Sequence, residues 1–570
     1  MKFNNQRRNP CSVWLSISHS CSIFVAALLS PVTALHAAET KPAKPNIIII
    51  LADDMGFSDI GCFGSEIKTP NLDKLAANGM RFTEFYNMSR CCPSRATILT
   101  GLYPHQTGVG NMTQDAGLPA YQGHLNDTCV TLAEVLKSAG YFTAMCGKWH
   151  VGGEDFAVAP WTRGFERSLS AKAGGFYYGK KGSGPGPLWL DGKNLSNDSP
   201  DLPRDWYSTD LFTDYGIKFI NQAVAEKKPF FLYLAHTAPH WPLQAPEQDV
   251  AKYRGKYMAG WDKLREQRYQ RQLASGIIDS SWPLSPLPKG WNGTEDVQAW
   301  DTYNDQEKDR FDQIMSLYAA CVDHLDQSVG RLVEDLKKQG ILDNTLILFL
   351  SDNGGSAEGG PVGKLTEKKD GRVSAWCGES WATLENTPFR YFKHFEHEGG
   401  ISTPFIAHWP NGITNAGSLC RERAHLVDLM ATCVDLSGAR YPTAFNGKPI
   451  LPMEGKSLSA AFKGGKVGHE ALYWEHNGQA AMLEGDWKIV CTKMAKTGDW
   501  ELYNLTKDRT ELHDLAASEP ARVKAMSAKW ETWAKRTGVL PKPGKEQKQA
   551  VKQAKKAAKG SATNEEAPDL

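Results

Sequence analysis

The stretch Asn46-Ile47-Ile48-Ile49-Ile50-Leu51-Ala52-Asp53-Asp54 decides the fold of this 570-residue chain. Its nearly continuous apolar run, rich in β-branched residues, is typical of a parallel strand that is buried on both faces. Two carboxylates follow at the carboxyl end of the strand, where open α/β sheets bind ligands. Taken alone, Asp53 and Asp54 are equally compatible with capping a turn.

Further strands and helices alternate along the chain after this first strand. The same kind of apolar run predicts strands at 141–146, 229–235, 345–350 and 404–408. Start and stop signals predict helices between them, at 69–79, at 131–140 (which opens with a Thr-x-x-Glu capping box) and over the apolar repeat at 314–325. The predicted fold class is therefore α/β, with a large, mixed, mainly parallel sheet sandwiched by helices.

A second strand end repeats the layout of the first. The apolar strand 345–350 closes with Ser351-Asp352-Asn353-Gly354, so that a carboxylate and an amide follow it directly. Oxygen atoms of this kind are the ligands that Ca²⁺ and Mg²⁺ prefer. Two such strand ends favour a divalent cation site over a pair of turn caps.

The residues 88–101 read Met88-Ser89-Arg90-Cys91-Cys92-Pro93-Ser94-Arg95-Ala96-Thr97-Ile98-Leu99-Thr100-Gly101. Pro93 suits the first position of a helix, which would make Cys92 the N-cap, and Gly101 suits a left-handed helix end. The positive end of such a helix favours an anion near Cys91. A buried cysteine pair beside an ordinary helix cap is the alternative.

Composition and the termini limit the classes of function. A formal net charge of +1 gives no electrostatic reason to expect nucleic acid as a partner. The basic and then apolar N-terminus predicts a cleaved, bacterial-type signal peptide over 1–38, hence export to the periplasm or the medium, without stable membrane insertion. We expect a catalytic domain at 39–464, a C-terminal α+β subdomain at 465–540 and a disordered Lys-rich tail at 541–570.

Two long segments lack periodicity and are predicted to be irregular, at about 166–203 and 262–301. The second carries Trp282, Trp291 and Trp300. Aromatic side chains on loops suit stacking against sugar or aryl rings, and they suit anchoring in the core equally well.

These motifs together resemble the formylglycine-dependent sulfatases, in their arylsulfatase group within the alkaline-phosphatase-like superfamily. The resemblance covers about residues 44–535, and its blocks occur in the family's order. The central block, Cys91-x-Pro93-Ser94-Arg95-x-x-x-Leu99-Thr100-Gly101, matches the family signature without a gap. The other blocks are Asp53-Asp54, Gly147-Lys148-Trp149-His150, Pro239-His240-Trp241-Pro242, Ser351-Asp352-Asn353-Gly354, and Lys393 with Glu398-Gly399-Gly400.

The resemblance implies a sulfate monoester hydrolase in which a formylglycine-generating enzyme converts Cys91 to formylglycine. One hydroxyl of the aldehyde hydrate would attack sulfur, and the second would release sulfate by collapse of the hemiacetal. A divalent cation, Ca²⁺ rather than Mg²⁺, would be held by the modified Cys91 together with Asp53, Asp54, Asp352 and Asn353.

Roles for the remaining site residues follow from the same resemblance. Arg95 would orient the hydrate, and His150 would act as general base in its collapse. Lys148, His240 and Lys393 would bind sulfate oxygens, with either His240 or Lys393 protonating the leaving oxygen. His236 has no matching role, and we expect it in the core or behind the site.

Two other functions remain open at this point. Relatives on the same fold include phosphonate monoester and phosphodiester hydrolases, and an unmodified envelope protein could bind calcium or glycans without catalysis. The long irregular segments favour a sulfated carbohydrate over a simple aryl sulfate as the substrate.

Overall fold

A ten-stranded sheet lies at the centre of the computed structural model, which describes residues 44–179, 185–291, 293–367, 372–494 and 499–562. The strand order is β13-β2-β12-β9-β1-β8-β4-β5-β6-β7. The described strands are β1 (Asn46–Ala52), β2 (Met80–Phe82), β3 (Phe85–Tyr86), β4 (Phe142–Lys148), β5 (Arg167–Ala171), β6 (Pro185–Leu190), β7 (Lys193–Ser196), β8 (Phe230–Ala235), β9 (Thr345–Ser351), β10 (Lys364–Glu367), β11 (Val373–Trp376), β12 (Phe405–His408), β13 (Ser418–Cys420), β14 (Ala424–His425), β15 (Ala444–Phe445), β16 (Lys448–Pro449), β17 (Ala471–His476), β18 (Gln479–Glu484), β19 (Trp487–Cys491) and β20 (Glu501–Asn504).

Helices cover both faces of this sheet. The described helices of the whole chain are α1 (Pro70–Ala77), α2 (Cys91–Thr100), α3 (Leu132–Ser138), α4 (Ser208–Ala225), α5 (Glu247–Ala251), α6 (Gly260–Ser275), α7 (Asp305–Lys338), α8 (Gly378–Glu385), α9 (Glu398–Ile401), α10 (Asp428–Ser437), α11 (Pro520–Thr537) and α12 (Lys545–Ala562).

The five strands β9, β1, β8, β4 and β5 run parallel in the middle of the sheet, and antiparallel pairs flank them. Every residue of β1 is buried, and its side chains alternate between two cores. Ile47, Ile49 and Leu51 pack with α2, α3 and α10, whereas Ile48 and Ile50 pack with α1, α4 and α7. The predicted α/β class, with a mainly parallel sheet between helices, is confirmed.

The C-terminal part forms a second, antiparallel sheet of β17, β18, β19 and β20. Trp530 and Trp533 of α11 belong to the same buried cluster as Trp474 of this sheet. Apolar runs at 471–475, 487–491 and 500–503 predict three of these strands, and the pattern at about 520–536 predicts α11, but β18 has no such signal.

Three local expectations differ from the structure. Helix α2 begins at Cys91 with Arg90 as its N-cap, two residues earlier than predicted, so Pro93 lies in the first turn, where its missing N–H costs no helical hydrogen bond. Gly101 does end that helix in a left-handed conformation, with φ of 69°. Both segments predicted to be irregular contain regular structure: β5, β6 and β7 lie within 166–203, and part of 262–301 belongs to α6.

The tail is the third difference. The sequence analysis expects disorder from residue 541, but the structure has α12 there, because Lys, Gln and Ala all have high helix propensity. The predicted signal peptide, 1–38, and residues 563–570 lie outside the described residues. Among the described helices, none combines the length and the apolar content needed to cross a membrane.

Candidate active site

The two acidic strand ends meet at one edge of the central sheet. Strands β1 and β9 are parallel neighbours, with Ala52 opposite Ser351, so the residues that follow them lie side by side. The backbone N–H of Asp54 donates to Asp352 Oδ1 at 3.3 Å, and Asn353 Nδ2 donates to Asp54 Oδ1 at 2.7 Å. Asp53, Asp54, Asp352 and Asn353 have no exposed surface.

Close backbone packing fixes this edge. A Cβ on Gly354 would lie 2.0 Å from the carbonyl oxygen of Gly399, so only glycine allows the end of β9 to approach the loop after Lys393. The N–H of Gly354 donates to the carbonyl oxygen of Gly400 at 3.1 Å. Asp54 itself adopts a left-handed conformation with φ of 68°, which is uncommon outside glycine and turns its carboxylate at the strand end.

The donor set at this edge fits a divalent cation. Asp53 Oδ1 and Asn353 Oδ1 are buried and have no hydrogen-bond partner among the described residues. Burial and the neighbouring Asp53 raise the pKa of Asp352 well above its usual range, which shows how closely the carboxylates crowd. Carboxylate and amide oxygens in such a cluster are suitable ligands for Ca²⁺ or Mg²⁺.

Distance alone would group His240, and not Asp352 or Asn353, with Asp53 and Asp54 as a third ligand of the cation. Ligand atoms of Asp53, Asp54 and His240 lie within 4.8 Å of one another. His240 Nε2, however, is 3.6 Å from Asp54 Oδ2, as in a carboxylate–imidazole pair. Because Ca²⁺ and Mg²⁺ prefer oxygen ligands, Asp352 and Asn353 suit the cation better than the imidazole does.

Each carboxylate of the cluster has its own cationic partner. Lys148 Nζ lies 2.7 Å from Asp53 Oδ2, and Lys393 Nζ lies 2.7 Å from Asp54 Oδ2. Arg95 donates from Nε at 3.0 Å and from a terminal nitrogen at 2.7 Å to Asp352 Oδ2. Burial disfavours the charged lysines, yet Asp53 raises the pKa of Lys148 and Asp54 raises that of Lys393. Both ammonium groups therefore stay charged beside the carboxylates.

Cys91 lies in the first turn of α2, beside this cluster. Its Sγ, the Sγ of Cys92 and a ring nitrogen of His150 all lie within 4.8 Å of one another. A hydrogen bond from Cys92 lowers the pKa of the Cys91 thiol well below its usual range, against the effect of burial and with the help of Lys148 and His150. The helix start and the Lys148 ammonium group make the position of Cys91 electropositive.

His150 directly follows Trp149 at the end of β4 and has a left-handed backbone, with φ of 60°. Burial lowers the pKa of His150, while Cys91 opposes that shift. Its Nδ1 is buried without a hydrogen-bond partner among the described residues. A neutral imidazole with a free nitrogen is suited to accept a proton.

His240 follows β8 and lies nearer to the surface, with 13% of its side chain exposed. The hydroxyl of Tyr177 donates to the backbone carbonyl of His240 at 2.9 Å, which fixes that loop. His236, four residues earlier, is fully buried, and burial lowers its pKa to about 3, so that it stays neutral. This agrees with a core position for His236.

Three residues that the sequence analysis missed lie around the mouth of the site: Arg90, Glu358 and His394. Glu358 Oε1 is 3.6 Å from an Arg90 nitrogen, 3.4 Å from His394 Nε2 and 3.6 Å from Lys393 Nζ. Arg90 also contacts the His394 ring. Burial opposes ionisation of Glu358, but Lys393 and His394 lower its pKa well below the usual range.

The sequence alone could have identified only some of these three residues. Arg90 directly precedes Cys91, and His394 directly follows Lys393. This adjacency to predicted site residues was the only sequence signal for these two side chains. Glu358 is on a loop after β9 and belongs to no recognised motif. Of the loop tryptophans, Trp282 and Trp300 are buried in the core, whereas Trp291 is partly exposed beside His394.

The sequence of this chain is similar to those of known protein families and proteins. A family profile described as Sulfatase matches residues 45–439, and one described as N-sulphoglucosamine sulphohydrolase, C-terminal, matches residues 388–533. An uncharacterized sulfatase of Schizosaccharomyces pombe is 35% identical over 545 residues, covering 89% of this chain and 96% of that protein. An arylsulfatase of Klebsiella aerogenes is 34% identical over 459 residues, covering 76% of this chain and 96% of that protein.

A solved structure also shares the fold. The crystal structure of Ps i-CgsB in complex with k-i-k-neocarrahexaose superposes with a TM-score of 0.61 and 28% sequence identity. The match covers 86% of this chain and 93% of that one.

Proposed function

The chain belongs to the sulfatase family and is a sulfuric ester hydrolase of alkaline-phosphatase-like fold, and we propose that it hydrolyses carbohydrate sulfate monoesters through a formylglycine formed from Cys91. The observation that carries this proposal is the surroundings of Cys91. Its thiol lies at the start of α2, near the His150 ring, and the Lys148–Asp53 pair lies close enough for Lys148 to lower its pKa.

We assign Asp53, Asp54, Asp352, Asn353 and the modified Cys91 as ligands of one divalent cation, Ca²⁺ rather than Mg²⁺. A bound cation of this kind lowers the pKa of the attacking hydroxyl and neutralises negative charge on the sulfate. The unpartnered oxygens of Asp53 and Asn353 support this assignment.

A formylglycine at position 91 would supply an aldehyde hydrate, whose two hydroxyls allow both attack on sulfur and release of sulfate. The thiol of Cys91 stands for that group here. Formation of the aldehyde requires a formylglycine-generating enzyme as a partner during maturation, and export fits the signal peptide that the sequence predicts over 1–38.

The neighbouring side chains then have separate tasks. Arg95, which is bound to Asp352 and to the carbonyl oxygen of Lys148, orients the hydrate. Lys148, His240 and Lys393 bind sulfate oxygens, and either His240 or Lys393 donates a proton to the leaving alcohol oxygen. His150 accepts the proton that must leave the second hydroxyl.

A carbohydrate substrate is favoured by the loops around the site and by one structural relative. The Ps i-CgsB structure, as its description states, contains a neocarrahexaose. In the present chain, polar and aromatic side chains on loops surround the entrance next to Lys393.

Two measurements test this function. Mass spectrometry of the peptide that contains Cys91, from a host with the modifying enzyme, should find the sulfur lost as formylglycine. An unmodified thiol throughout would favour a binding protein without catalysis. The modified protein should have a much higher kcat/KM on sulfate esters than on phosphate diesters, and a large preference for phosphate diesters would refute the proposal.

A further inference from the structure

A cavity of about 780 Å³ opens beside the mouth of the site. Its wall includes Lys289 and Trp291 from the loop after α6, Tyr391 and His394 from the loop before α9, Gln479 from β18, and Lys493 from the segment after β19. Ligand cavities typically enclose about 300–1,000 Å³. This volume is therefore sufficient for a sugar ring and its substituents.

The cavity shares a wall with the catalytic centre. His394 lines it, and the preceding residue, Lys393, pairs with Asp54 at 2.7 Å. Glu358 lies between them, 3.4 Å from His394 Nε2 and 3.6 Å from Lys393 Nζ. The cavity therefore begins one residue away from a side chain that we assign to the sulfate.

Aromatic rings form one side of the cavity. The ring centres of Trp291 and His394 are 4.8 Å apart, and Tyr391 stacks on Phe395 at 4.1 Å. The backbone N–H of Trp291 donates to Glu379 Oε2 at 3.3 Å, which holds its loop in place. Partly exposed aromatic faces that are held in this way suit the apolar face of a sugar ring.

Two lysine side chains give the cavity a positive charge. Lys289 and Lys493 are exposed at the cavity, and none of its described lining residues is acidic. The ammonium groups therefore favour a negatively charged ligand.

The C-terminal sheet contributes through the turn between β17 and β18. Gln479 Nε2 donates to the carbonyl oxygen of His394 at 2.6 Å, so this turn is joined to the loop that carries Lys393. Asn477 has a left-handed φ of 53° at the same turn. The cavity is thus built from parts that are fixed to one another.

We propose that this cavity binds the sugar residue adjacent to the sulfated one, and that this neighbouring residue carries a carboxylate or a second sulfate. The ring stacks against Trp291, and Lys289 and Lys493 bind its anionic group. This inference rests on the proposed function and names the part of the substrate that the site selects.

The test compares three substrates: a sulfated monosaccharide, a sulfated disaccharide with a neutral neighbouring sugar, and the same disaccharide with a uronate neighbour. For the wild type, kcat/KM should be highest for the uronate disaccharide. The double variant Lys289→Gln/Lys493→Gln should reduce the preference for uronate over neutral neighbour by about ten-fold, and added salt should reduce it in the wild type.

Trp291→Ala should reduce the preference for disaccharide over monosaccharide by about ten-fold, and Trp291→Phe, which keeps a ring, by less. Lys263→Gln, which removes an exposed charge on α6, is the matched control and should change no preference. Unchanged preferences in the cavity variants, or equal losses on all three substrates, would overturn the subsite alone. A wild type with formylglycine that hydrolyses no sulfate ester would instead overturn the proposed function as well.

Discussion

The floor of the site and its rim are built in different ways. The floor, defined as Asp53, Asp54, Asp352, Asn353 and Cys91, lies at strand ends and at a helix start and is almost completely buried. The rim, defined as Arg90, Glu358 and His394, lies on loops, with 16–22% of each side chain exposed. The floor would act on the sulfate group that every substrate shares, whereas the rim would meet the alcohol part that differs between substrates.

The free-energy cost of removing a charged group should differ between the floor and the rim. Each floor carboxylate has a buried cationic partner, so removing one group leaves another charge buried and unpaired, which costs about 3–5 kcal/mol. Rim ion pairs are partly in water, where each contributes about 0–1 kcal/mol. Changes in the floor should therefore have large effects on all substrates, and changes in the rim small, substrate-dependent ones.

The largest effect should come from the nucleophile position. Cys91→Ala removes the residue that we assign as the formylglycine precursor, so kcat should fall by at least about 10⁴-fold on every sulfate ester. Cys92→Ala is the matched control, because its thiol is equally buried in the same helix turn. It should keep activity within about ten-fold of the wild type. Equal losses in both variants would show that the helix start, and not one residue, is what matters.

Calcium binding should be the next largest effect. Asp53→Asn should lower kcat by at least about 100-fold. It should also abolish the rise in Tm that we expect calcium to give the wild type after chelator treatment. For the wild type, calcium at 100 times its Kd should add about 2.7 kcal/mol to the free energy of unfolding.

Asp326→Asn is the matched control for that measurement. Asp326 is also buried, but its carboxylate accepts from the backbone N–H of Leu72 at 2.7 Å, at the start of α1. This variant should lower Tm and still respond to calcium. A calcium response that survives in Asp53→Asn would remove Asp53 from the ligand set.

Sequence patterns predicted the secondary structure that carries the floor because its elements have strong local signals. The β-branched run of β1 is buried on both faces, and the box at the start of α3 forms as expected, with Thr131 Oγ1 accepting from the N–H of Glu134 at 3.1 Å. Parallel pairing of β1 with β9 then brings their carboxyl ends together. These are consequences of periodicity and sheet geometry, which sequence carries directly.

The rim and several other parts lacked such signals. On the buried face of α6, Arg268 and Gln272 follow Trp261 and Leu264, so the apolar stripe is interrupted after its first turns. The Arg268 guanidinium pairs with Asp59 and Glu66. Periodicity therefore could not identify α6. Strand β18 is Ala-rich and is defined by its pairing with β17 and β19. Glu358 reaches Lys393 through loop geometry, which no local pattern predicts.

The anchoring of the rim loop gives a prediction of intermediate size. Glu398 begins α9, shortly after His394, and binds Lys488 Nζ at 2.9 Å and Arg509 Nε at 2.8 Å. Burial disfavours its ionisation, but Lys488 and Arg509 lower the pKa of Glu398 to about 2. Glu398→Gln should therefore lower the free energy of unfolding at pH 7 by about 3 kcal/mol.

The stabilisation that Glu398 gives the folded protein depends on pH. The pKa of Glu398 in the folded protein is below the ordinary value of 4.5, so its stabilisation is complete above about pH 4.5 and is lost as the pH falls towards 2. Glu396→Gln is the matched control, because burial raises the pKa of Glu396, so its contribution to stability depends on pH in the opposite direction. Urea unfolding at several pH values should show the acid-sensitive difference only for Glu398→Gln. The same difference in both variants would contradict this assignment.

The smallest effect should come from the rim itself. Glu358→Gln keeps the shape of the side chain but removes the charge that holds Arg90 and His394, so these side chains must be ordered when substrate binds. Since a partly exposed ion pair is worth about 1 kcal/mol, KM for a carbohydrate sulfate should rise by about five-fold with little change in kcat. Glu334→Gln, an exposed change on α7, should alter neither constant. A loss of kcat as large as that of Asp53→Asn would mean that Glu358 acts on the reacting atoms through Lys393, and the rim would then have to be counted as part of the floor.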